Sequence, residues 1–246
     1  MSFYINSDKG NIRELNEDSF LFEKIDEFLI LILADGMGGH RNGELASMNA
    51  VTIVRDYVKE NYKLYNNYSV LLLDAFCFAN TKIYEQNINS SDSGEIASFM
   101  GTTLEGVIVL DNNVFLAHVG DSRIYVKNKF GFKQITKDHS LVEYLYSKGA
   151  ITKDEADNFE NKNSILRAIG TEKFVEVDTE TFTINAGDII LICSDGLTNE
   201  LSDDEIDEVL ALNEDEKIMV ERLISMTKNK EAKDNITVGI FKNEVK

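Results

Sequence analysis

Proline is absent from this 246-residue chain, cysteine occurs only twice, and no apolar stretch approaches the roughly 18–20 residues of a membrane span. The missing proline removes one helix-stop signal and says nothing about function. Two cysteines, Cys77 and Cys193, are too few for a disulfide framework and favour a reducing compartment. The first residues lack the basic and apolar regions of a signal peptide. These absences together predict a cytoplasmic protein that does not bind membranes.

Basic residues are scarce as well: 25 Lys and Arg stand against 43 Asp and Glu, a formal net charge of −18. A nucleic-acid-binding protein normally presents a basic face, so we expect no nucleic acid as partner. Adhesion to anionic membranes is disfavoured for the same reason. The acidic excess suits a protein that concentrates divalent cations, although acids scattered over the surface would give the same sum. The length fits one large domain or two small ones.

Two apolar runs, 28–34 and 189–194, lead into the Asp-Gly pairs Asp35-Gly36 and Asp195-Gly196. Continuous apolar runs of this length are typical of buried strands. A carboxylate at the mouth of a buried strand is costly unless a cation or hydrogen bonds compensate it. The repetition of this arrangement predicts a metal site built from strand ends about 160 residues apart in sequence.

The periodicity of the chain separates helices from strands. Apolar residues three and four apart predict amphipathic helices at 44–63 and 70–84, and two further helices are expected at 203–210 and 215–226. Strands are predicted at 20–25, 28–34, 103–110, 114–119, 122–126, 132–135, 175–183, 188–193 and 236–241. Because helices and strands lie in separate blocks, we expect a layered α+β domain rather than alternating βαβ units. The polar segment 137–170 is expected to form short helices and loops and to act as a mobile flap.

Three further acidic sites lie beside turns: the pair Glu17-Asp18, then Asp121, then Asp234. A single such site is usually only a turn. Taken together with the two Asp-Gly pairs, however, they indicate carboxylates converging at one sheet edge. Oxygen ligands suit Mg²⁺ or Mn²⁺. The lack of histidine pairs at ligand spacing argues against zinc.

Glycines and an arginine near these acids leave two interpretations open. Gly36, Gly38 and Gly39 predict either a flexible turn before a helix or a close backbone approach to a metal or phosphate. The string is not a P-loop, so nucleotide binding through that motif is unsupported. Arg13, four residues before Glu17, is either an ordinary surface arginine or a bidentate phosphate ligand.

The histidines and the second cysteine are weaker candidates. His118 lies within a strand pattern and is expected to be structural. His40 and His139 lie in predicted loops near the candidate ligands, where either a catalytic or a structural role is open. Cys193 is expected to be a small buried apolar residue, because the arginine that thiol-based phosphatases place six positions further on is Asn199 here.

The chain closely resembles the metal-dependent serine/threonine protein phosphatases, the PPM or type-2C family, in their compact bacterial form. The strings LADGMGGH at 33–40, AHVGDSRIY at 117–125 and LICSDGLT at 191–198 carry much of the resemblance. Other matching segments, in the same order as in the family, lie at 7–20, 100–103, 136–140, 165–170 and 233–238. The resemblance implies one domain over residues 1–246, a four-layer αββα sandwich of two antiparallel sheets flanked by helix pairs, and a flap at about 137–170.

The resemblance also implies a set of ligands for two Mn²⁺ or Mg²⁺ ions. It makes Asp35 the bridging ligand and the Gly36 carbonyl a ligand of the second ion, with Asp195 and Asp234 completing the first. The pair Glu17-Asp18 is expected to support the second ion through water. Asp121 together with Asp195 matches the position of a third ion in bacterial members.

Two catalytic roles beyond the ions follow from the resemblance. Arg13 matches the phosphate-binding arginine. Met37 stands where animal members carry a histidine proposed as general acid, so His40 or a metal-bound water is the expected proton donor. The implied reaction is attack on phosphoserine or phosphothreonine by a water or hydroxide shared by the two ions.

The implied partners are phosphoproteins, including a Ser/Thr protein kinase that the enzyme opposes, and we expect a monomer. Two alternatives remain. A catalytically dead relative would act as a binding scaffold, but such proteins usually lose metal carboxylates and none is missing here. A phosphatase of anti-sigma-factor antagonists shares the fold, but the short chain with its complete Arg13 motif favours a general protein phosphatase.

Overall fold

The computed structural model describes residues 2–37, 42–91, 99–159 and 164–244. Within these ranges the strands are β1 (Ser2–Asp8), β2 (Asp18–Ile25), β3 (Phe28–Met37), β4 (Gly101–Thr102), β5 (Leu104–Leu110), β6 (Asn113–Val119), β7 (Arg123–Asn128), β8 (Gly131–Gln134), β9 (Asp178–Thr183), β10 (Ile189–Cys193) and β11 (Ile236–Lys242). The helices are α1 (Gly43–Asn61), α2 (Tyr68–Ser91), α3 (Leu141–Ser147), α4 (Lys153–Asp157), α5 (Asp195–Thr198), α6 (Asp203–Ala211) and α7 (Glu216–Lys228).

The strands form two antiparallel sheets. One sheet has the order β1-β11-β10-β7-β8, and the other has the order β2-β3-β5-β6-β9 with β4 paired to β3. The connection from β6 to β7 carries the chain from one sheet to the other.

Three hydrophobic clusters define four layers. Helices α1 and α2 cover the β2–β9 sheet, and α5, α6 and α7 cover the β1–β8 sheet. The third cluster lies between the two sheets and takes side chains from both. The predicted αββα sandwich is therefore confirmed. No helix in the described part of the chain is long and apolar enough to cross a membrane.

The two continuous apolar runs of the sequence are strands buried on both faces. In β3, Ile30 and Ile32 pack toward the helices, whereas Leu31 and Leu33 pack toward the opposite sheet. In β10 the same alternation separates the residues that face α5–α7 from those that face the other sheet, and Cys193 is a buried member of the first set. Burial on two faces explains why these strands lack the polar alternation of a half-exposed strand.

Most of the predicted elements are present, and the differences have local causes. Strand β1 lies at a sheet edge and is half-buried throughout, so its sequence carries no apolar run. Strand β4 and helix α5 have two and four residues, too few for any periodicity. Helix α2 continues to Ser91 instead of ending at 84, and β9 begins at Asp178 instead of 175.

Segment 137–170 contains the short helices α3 and α4, as predicted for its described residues. Its ends are tied together, because Ser140 and Ile165 form an antiparallel bridge and the Leu166 amide donates to the His139 carbonyl at 2.7 Å. The segment therefore leaves and re-enters the sandwich at one place. Its role as a flap stays a prediction.

Two phenylalanines on α2 test the helix-to-sheet packing. Phe76 is fully buried beneath β5, whereas Phe78, two residues further on, is 42% exposed. We expect Phe76→Ala to lower the free energy of unfolding by about 3–5 kcal/mol, because it leaves a cavity. Phe78→Ala should cost ~1 kcal/mol, since it loses mainly contacts with Tyr57 and Lys82. Urea unfolding of both variants measures the difference, and equal costs would contradict this packing.

Candidate metal centre

Asp35 and Asp18 lie side by side on neighbouring strands. Asp35 is within β3 rather than after it, and Asp18 is its register partner at the start of β2. The Asp35 backbone is held from the other side by Thr103, whose Oγ1 accepts the Asp35 amide at 3.0 Å and whose amide donates to the Asp35 carbonyl at 2.9 Å. Asp35 is thus held by main-chain and side-chain hydrogen bonds near the C-terminal end of β3.

Asp18 links the two sheets. Its Oδ2 accepts hydrogen bonds from Ser194 Oγ at 2.8 Å and from Thr237 Oγ1 at 2.6 Å. Thr237 lies in β11 of the opposite sheet, and Ser194 directly follows β10 of that sheet. Its Oδ1 is buried without a hydrogen-bond partner among the described residues. One carboxylate oxygen of Asp18 therefore clamps the sandwich, while the other is left for a different ligand.

The opposite sheet supplies Asp195 and Asp234. Asp195 is the first residue of α5, directly after β10; its Oδ2 accepts from Asn199 Nδ2 at 2.9 Å, and its Oδ1 is buried and unpartnered within the described ranges. Asp234 precedes β11, and its Oδ2 pairs with an Arg13 guanidinium nitrogen at 2.8 Å. Arg13 is 48% exposed, so it lies at the mouth of the pocket rather than inside it.

Asp121 lies in the β6–β7 connection that joins the sheets. It is 6% exposed, and its Oδ1 also lacks a partner in the described structure. The preceding Gly120 has φ +125°, and a Cβ there would stand 2.5 Å from the Thr103 side chain. Only glycine lets this loop pack so closely against the residue that also holds Asp35.

The start of α1 approaches the same pocket. A Cβ on Gly36 would lie 2.2 Å from the Gly43 carbonyl oxygen, and a Cβ on Gly43 would lie 2.5 Å from Glu17 Oε1. The Gly36 backbone therefore lies directly against the Gly43 backbone and beside Glu17. Its approach to a metal or phosphate stays a prediction. Glu44, in the first turn of α1, has a buried Oε2 with no described partner. An acid in a first helical turn is common, so Glu44 does not stand out in the sequence.

Burial and mutual repulsion raise the pKa values of five carboxyls in the pocket: Glu17, Asp18, Asp35, Asp121 and Asp195. Burial is the largest cause at each of these five, and neighbouring carboxylates add to it. The pKa of Asp18 rises to about 7 and that of Asp195 to about 6. The pKa values of Asp35 and Asp121 rise well above the ordinary range, and that of Glu17 also rises. The pocket is therefore short of positive charge.

The donors fit hard divalent ions. Carboxylate oxygens dominate the pocket, and unpartnered buried oxygens occur at Asp18, Asp121 and Asp195. Within the described ranges, no group of three or more His, Cys, Asp or Glu side chains is arranged to hold a metal ion as it stands. The predicted ligand roles thus stay predictions. His40, Gly38 and Gly39 lie outside the described residues.

Asn235 is a positioning residue that the sequence analysis did not single out. Its Oδ1 accepts the Glu17 amide at 2.8 Å, and its Nδ2 donates to the carbonyls of Lys9 and Leu15. It therefore holds the loop that carries Arg13 and Glu17 against the start of β11. A buried asparagine directly after an acid looks like an ordinary turn in sequence, so no pattern could reveal this contact.

Glu105 and His118 form a buried pair beneath the carboxylates. His118 Nδ1 lies 3.1 Å from Glu105 Oε1, and His118 Nε2 lies 3.0 Å from the Lys137 carbonyl. Since a carbonyl only accepts, Nε2 carries a proton, and one further proton is shared between Nδ1 and Glu105. Burial raises the pKa of Glu105 to about 7. Thr103 Oγ1 lies 3.4 Å from Glu105 Oε2, so the pair supports the residue that holds Asp35.

His139 supports the loop before Asp121. Its ring is buried, and Nδ1 accepts the Gly120 amide at 3.0 Å. Burial lowers its pKa to about 4, which keeps the imidazole neutral and able to accept this bond. Of the two roles left open for His139, the structural one is favoured.

Comparison with known proteins places the fold and site in a family. Residues 12–236 match the family model of protein phosphatase 2C. The chain is similar to the serine/threonine phosphatase stp of Listeria monocytogenes, with 37% identity over 97% of this chain and 94% of that protein. It is also similar to the crystal structure of the Mycobacterium tuberculosis serine/threonine phosphatase PstP/Ppp, with TM-score 0.88, 33% identity and 99% of each chain covered.

A second structure, the PstP catalytic domain, is in complex with two manganese ions; it matches with TM-score 0.82 and 33% identity over 97% of this chain and 96% of that one. The chain therefore belongs to the protein phosphatase 2C family, whose members are metal-dependent serine/threonine protein phosphatases. The enzyme class predicted from the sequence is confirmed.

The raised carboxyl pKa values predict how pH changes stability. Folded metal-free protein keeps protons on Asp18 and Asp195 that the unfolded chain, with pKa values near 4, has lost. Stability should therefore fall by several kcal/mol as the pH rises from about 4 to about 7. Melting temperatures at pH 5.0 and 7.5 measure this fall, and Mn²⁺ should raise the melting temperature more at pH 7.5. Asp18→Asn should flatten the metal-free slope; an unchanged slope would contradict the assignment.

The buried pair gives a second stability prediction. Glu105→Ala leaves His118 without its partner, so it should lower the free energy of unfolding by about 3–5 kcal/mol. Glu23→Ala removes an acid of the exposed Lys59–Glu23 ion pair and should cost less than about 1 kcal/mol. Chemical denaturation of both variants tests the contrast, and a Glu105→Ala cost as small as that of the control would refute the supporting role.

Proposed function

We propose that this phosphatase binds two divalent ions between its sheets, with Asp35, the Gly36 carbonyl, Asp195 and Asp234 as direct ligands. Glu17 and Asp18 would support the second ion. One observation carries the proposal: carboxylates from both sheets are buried together, and three of them keep an unpartnered oxygen. Burying like charges in this way is costly unless cations compensate them.

A third ion would bind at Asp121 and Asp195. Both residues have a buried Oδ1 with no hydrogen bond to the described residues. The negative charge of Asp195 also raises the pKa of Asp121. We propose Mn²⁺ or Mg²⁺ as the ions, since both prefer oxygen ligands. A related catalytic domain is in complex with two manganese ions, which supports Mn²⁺ for the first two sites.

When bound, such ions lower the pKa of a water molecule that attacks phosphorus, and they offset charge on the transferring phosphoryl group. The residues of the chain do the positioning. Thr103 fixes the Asp35 backbone through a hydrogen bond, and Asp18 links the two sheets through its hydrogen bond from Ser194. Arg13 presents a guanidinium at the pocket mouth, where it would exchange its contact with Asp234 for two phosphoryl oxygens.

The leaving serine or threonine oxygen must receive a proton when its bond to phosphorus breaks. His40 is one predicted donor of this proton, and it lies outside the described residues. The substrates are phosphoproteins, as the protein phosphatase class requires. A Ser/Thr kinase as partner, a monomeric state and a cytoplasmic location stay predictions, as does the absence of nucleic-acid and membrane partners.

The bridging role of Asp35 has a direct test. Asp35→Asn removes the charge but keeps the shape, so Mn²⁺-dependent turnover of p-nitrophenyl phosphate should fall at least about 100-fold. Asp56→Asn, which changes an exposed acid on α1, should retain wild-type turnover. Steady-state rates with a Mn²⁺ titration, and with EDTA as blank, provide the measurement. Full activity of Asp35→Asn would contradict the bridging role of Asp35.

A further inference from the structure

A large cleft opens from the carboxylate pocket between the flap segment and the α5–α6 region. Its volume is about 1010 Å³. Asp121 and Asp195 line one end, α3 and α4 contribute residues such as Tyr146 and Lys153, and α6 contributes Asp203. We call it the acidic cleft, because its described lining residues include eight acids and two cations: Asp121, Asp138, Glu143, Asp195, Glu200, Asp203, Asp204, Asp207, Arg123 and Lys153.

Several of these acids already have a positive partner. Arg123 holds Asp138 at 2.7 Å. Lys137 pairs with Glu143 at 3.3 Å, and Lys127 pairs with Asp207. Asp121 and Asp195 belong to the proposed ion sites.

Three acids remain without an ion pair to any described residue: Glu200, Asp203 and Asp204. They follow α5 and open α6, so they stand together on one side of the cleft. We call them the acidic wall. Asp203 also accepts a hydrogen bond from the buried Tyr125 hydroxyl at 3.1 Å, which ties the wall to the sheet below it.

One end of the cleft also carries evidence of ligand binding. Asp121 and Asp195 line this end, and each has a buried Oδ1 without a hydrogen-bond partner among the described residues. A phosphorylated side chain that reaches this end would leave its flanking residues in the cleft. A cleft lined by one sign of charge focuses the field, so it concentrates ligands of the opposite sign.

We propose that the acidic wall binds a lysine or arginine of the phosphoprotein substrate, close in sequence to the phosphorylated residue. This inference rests on the proposed function. From Asp195 the wall begins five residues later and ends nine residues later. Asp195 and the wall line the same cleft, so a peptide bound by its phosphorylated residue at the Asp195 end places neighbouring residues near the wall.

A peptide scan with Mn²⁺-loaded enzyme tests the inference. Each peptide has one phosphothreonine in an uncharged sequence, with a single arginine placed at one position from −4 to +4, and the reference has alanine there. We expect arginine at one or more of these positions to raise kcat/KM by about tenfold at low ionic strength. The preference should shrink in 0.5 M NaCl, because salt screens exposed charges.

Substitutions in the acidic wall test whether the wall causes the preference for the arginine peptide. Glu200→Gln combined with Asp204→Asn removes two charges of the wall and spares Asp203, whose bond to Tyr125 would confuse the result. The ratio of kcat/KM for the arginine and alanine peptides should drop to less than about threefold. Glu60→Gln, an exposed acid at the far end of α1, is the matched control and should keep the wild-type ratio. Because both peptides meet the same enzyme sample, the ratio is independent of its active fraction.

The results of these assays distinguish a failure of the inference from a failure of the proposed function. A wild-type ratio near one at every position, or a ratio that the double variant leaves unchanged, would overturn the acidic wall as a recognition surface. Turnover of neither peptide nor p-nitrophenyl phosphate would overturn the proposed function and this inference with it. A position-dependent preference that the double variant abolishes and the control retains would support both.

Discussion

Repulsion among carboxylates buried between two sheets is the constraint on which the rest of this structure depends. Asp18 and Asp35 come from one sheet, and Asp195 and Asp234 come from the region of the other. Burying each of these carboxylates would cost less free energy if no second negative charge lay beside it. The chain holds them together with bonds that cross the sandwich, above all the bonds from Ser194 and Thr237 to Asp18. The proposed cations would supply opposite charge, which these neutral donors cannot.

The two Asp-Gly pairs show how backbone packing prepares the pocket. Gly36 meets the Gly43 carbonyl, and a Cβ on Gly196 would stand 2.0 Å from the Asn235 carbonyl. In both pairs the glycine has no side chain, so the backbone of a second segment packs directly against the glycine that follows the aspartate. The aspartates are therefore positioned by main-chain contacts on rigid elements.

The sequence predicted the doubly buried strands well, for a physical reason. Doubly buried strands need continuous apolar runs, and β3 and β10 therefore stand out, with Asp35 and Asp195 beside them. The support beneath the acids could not be predicted, because it depends on contacts between distant segments. Asn235, Glu105 and Glu44 each look ordinary in their local sequence. The acidic cleft was equally hidden, since it arises only where the 137–170 segment faces α6.

Anomalous diffraction from crystals soaked in manganese tests the central claim most directly. The account predicts peaks in the pocket between the sheets, with oxygens of Asp35, Asp195 and Asp234 within about 2.0–2.4 Å of an ion. Crystals without such peaks, in which these carboxylates point away from one another, would contradict it.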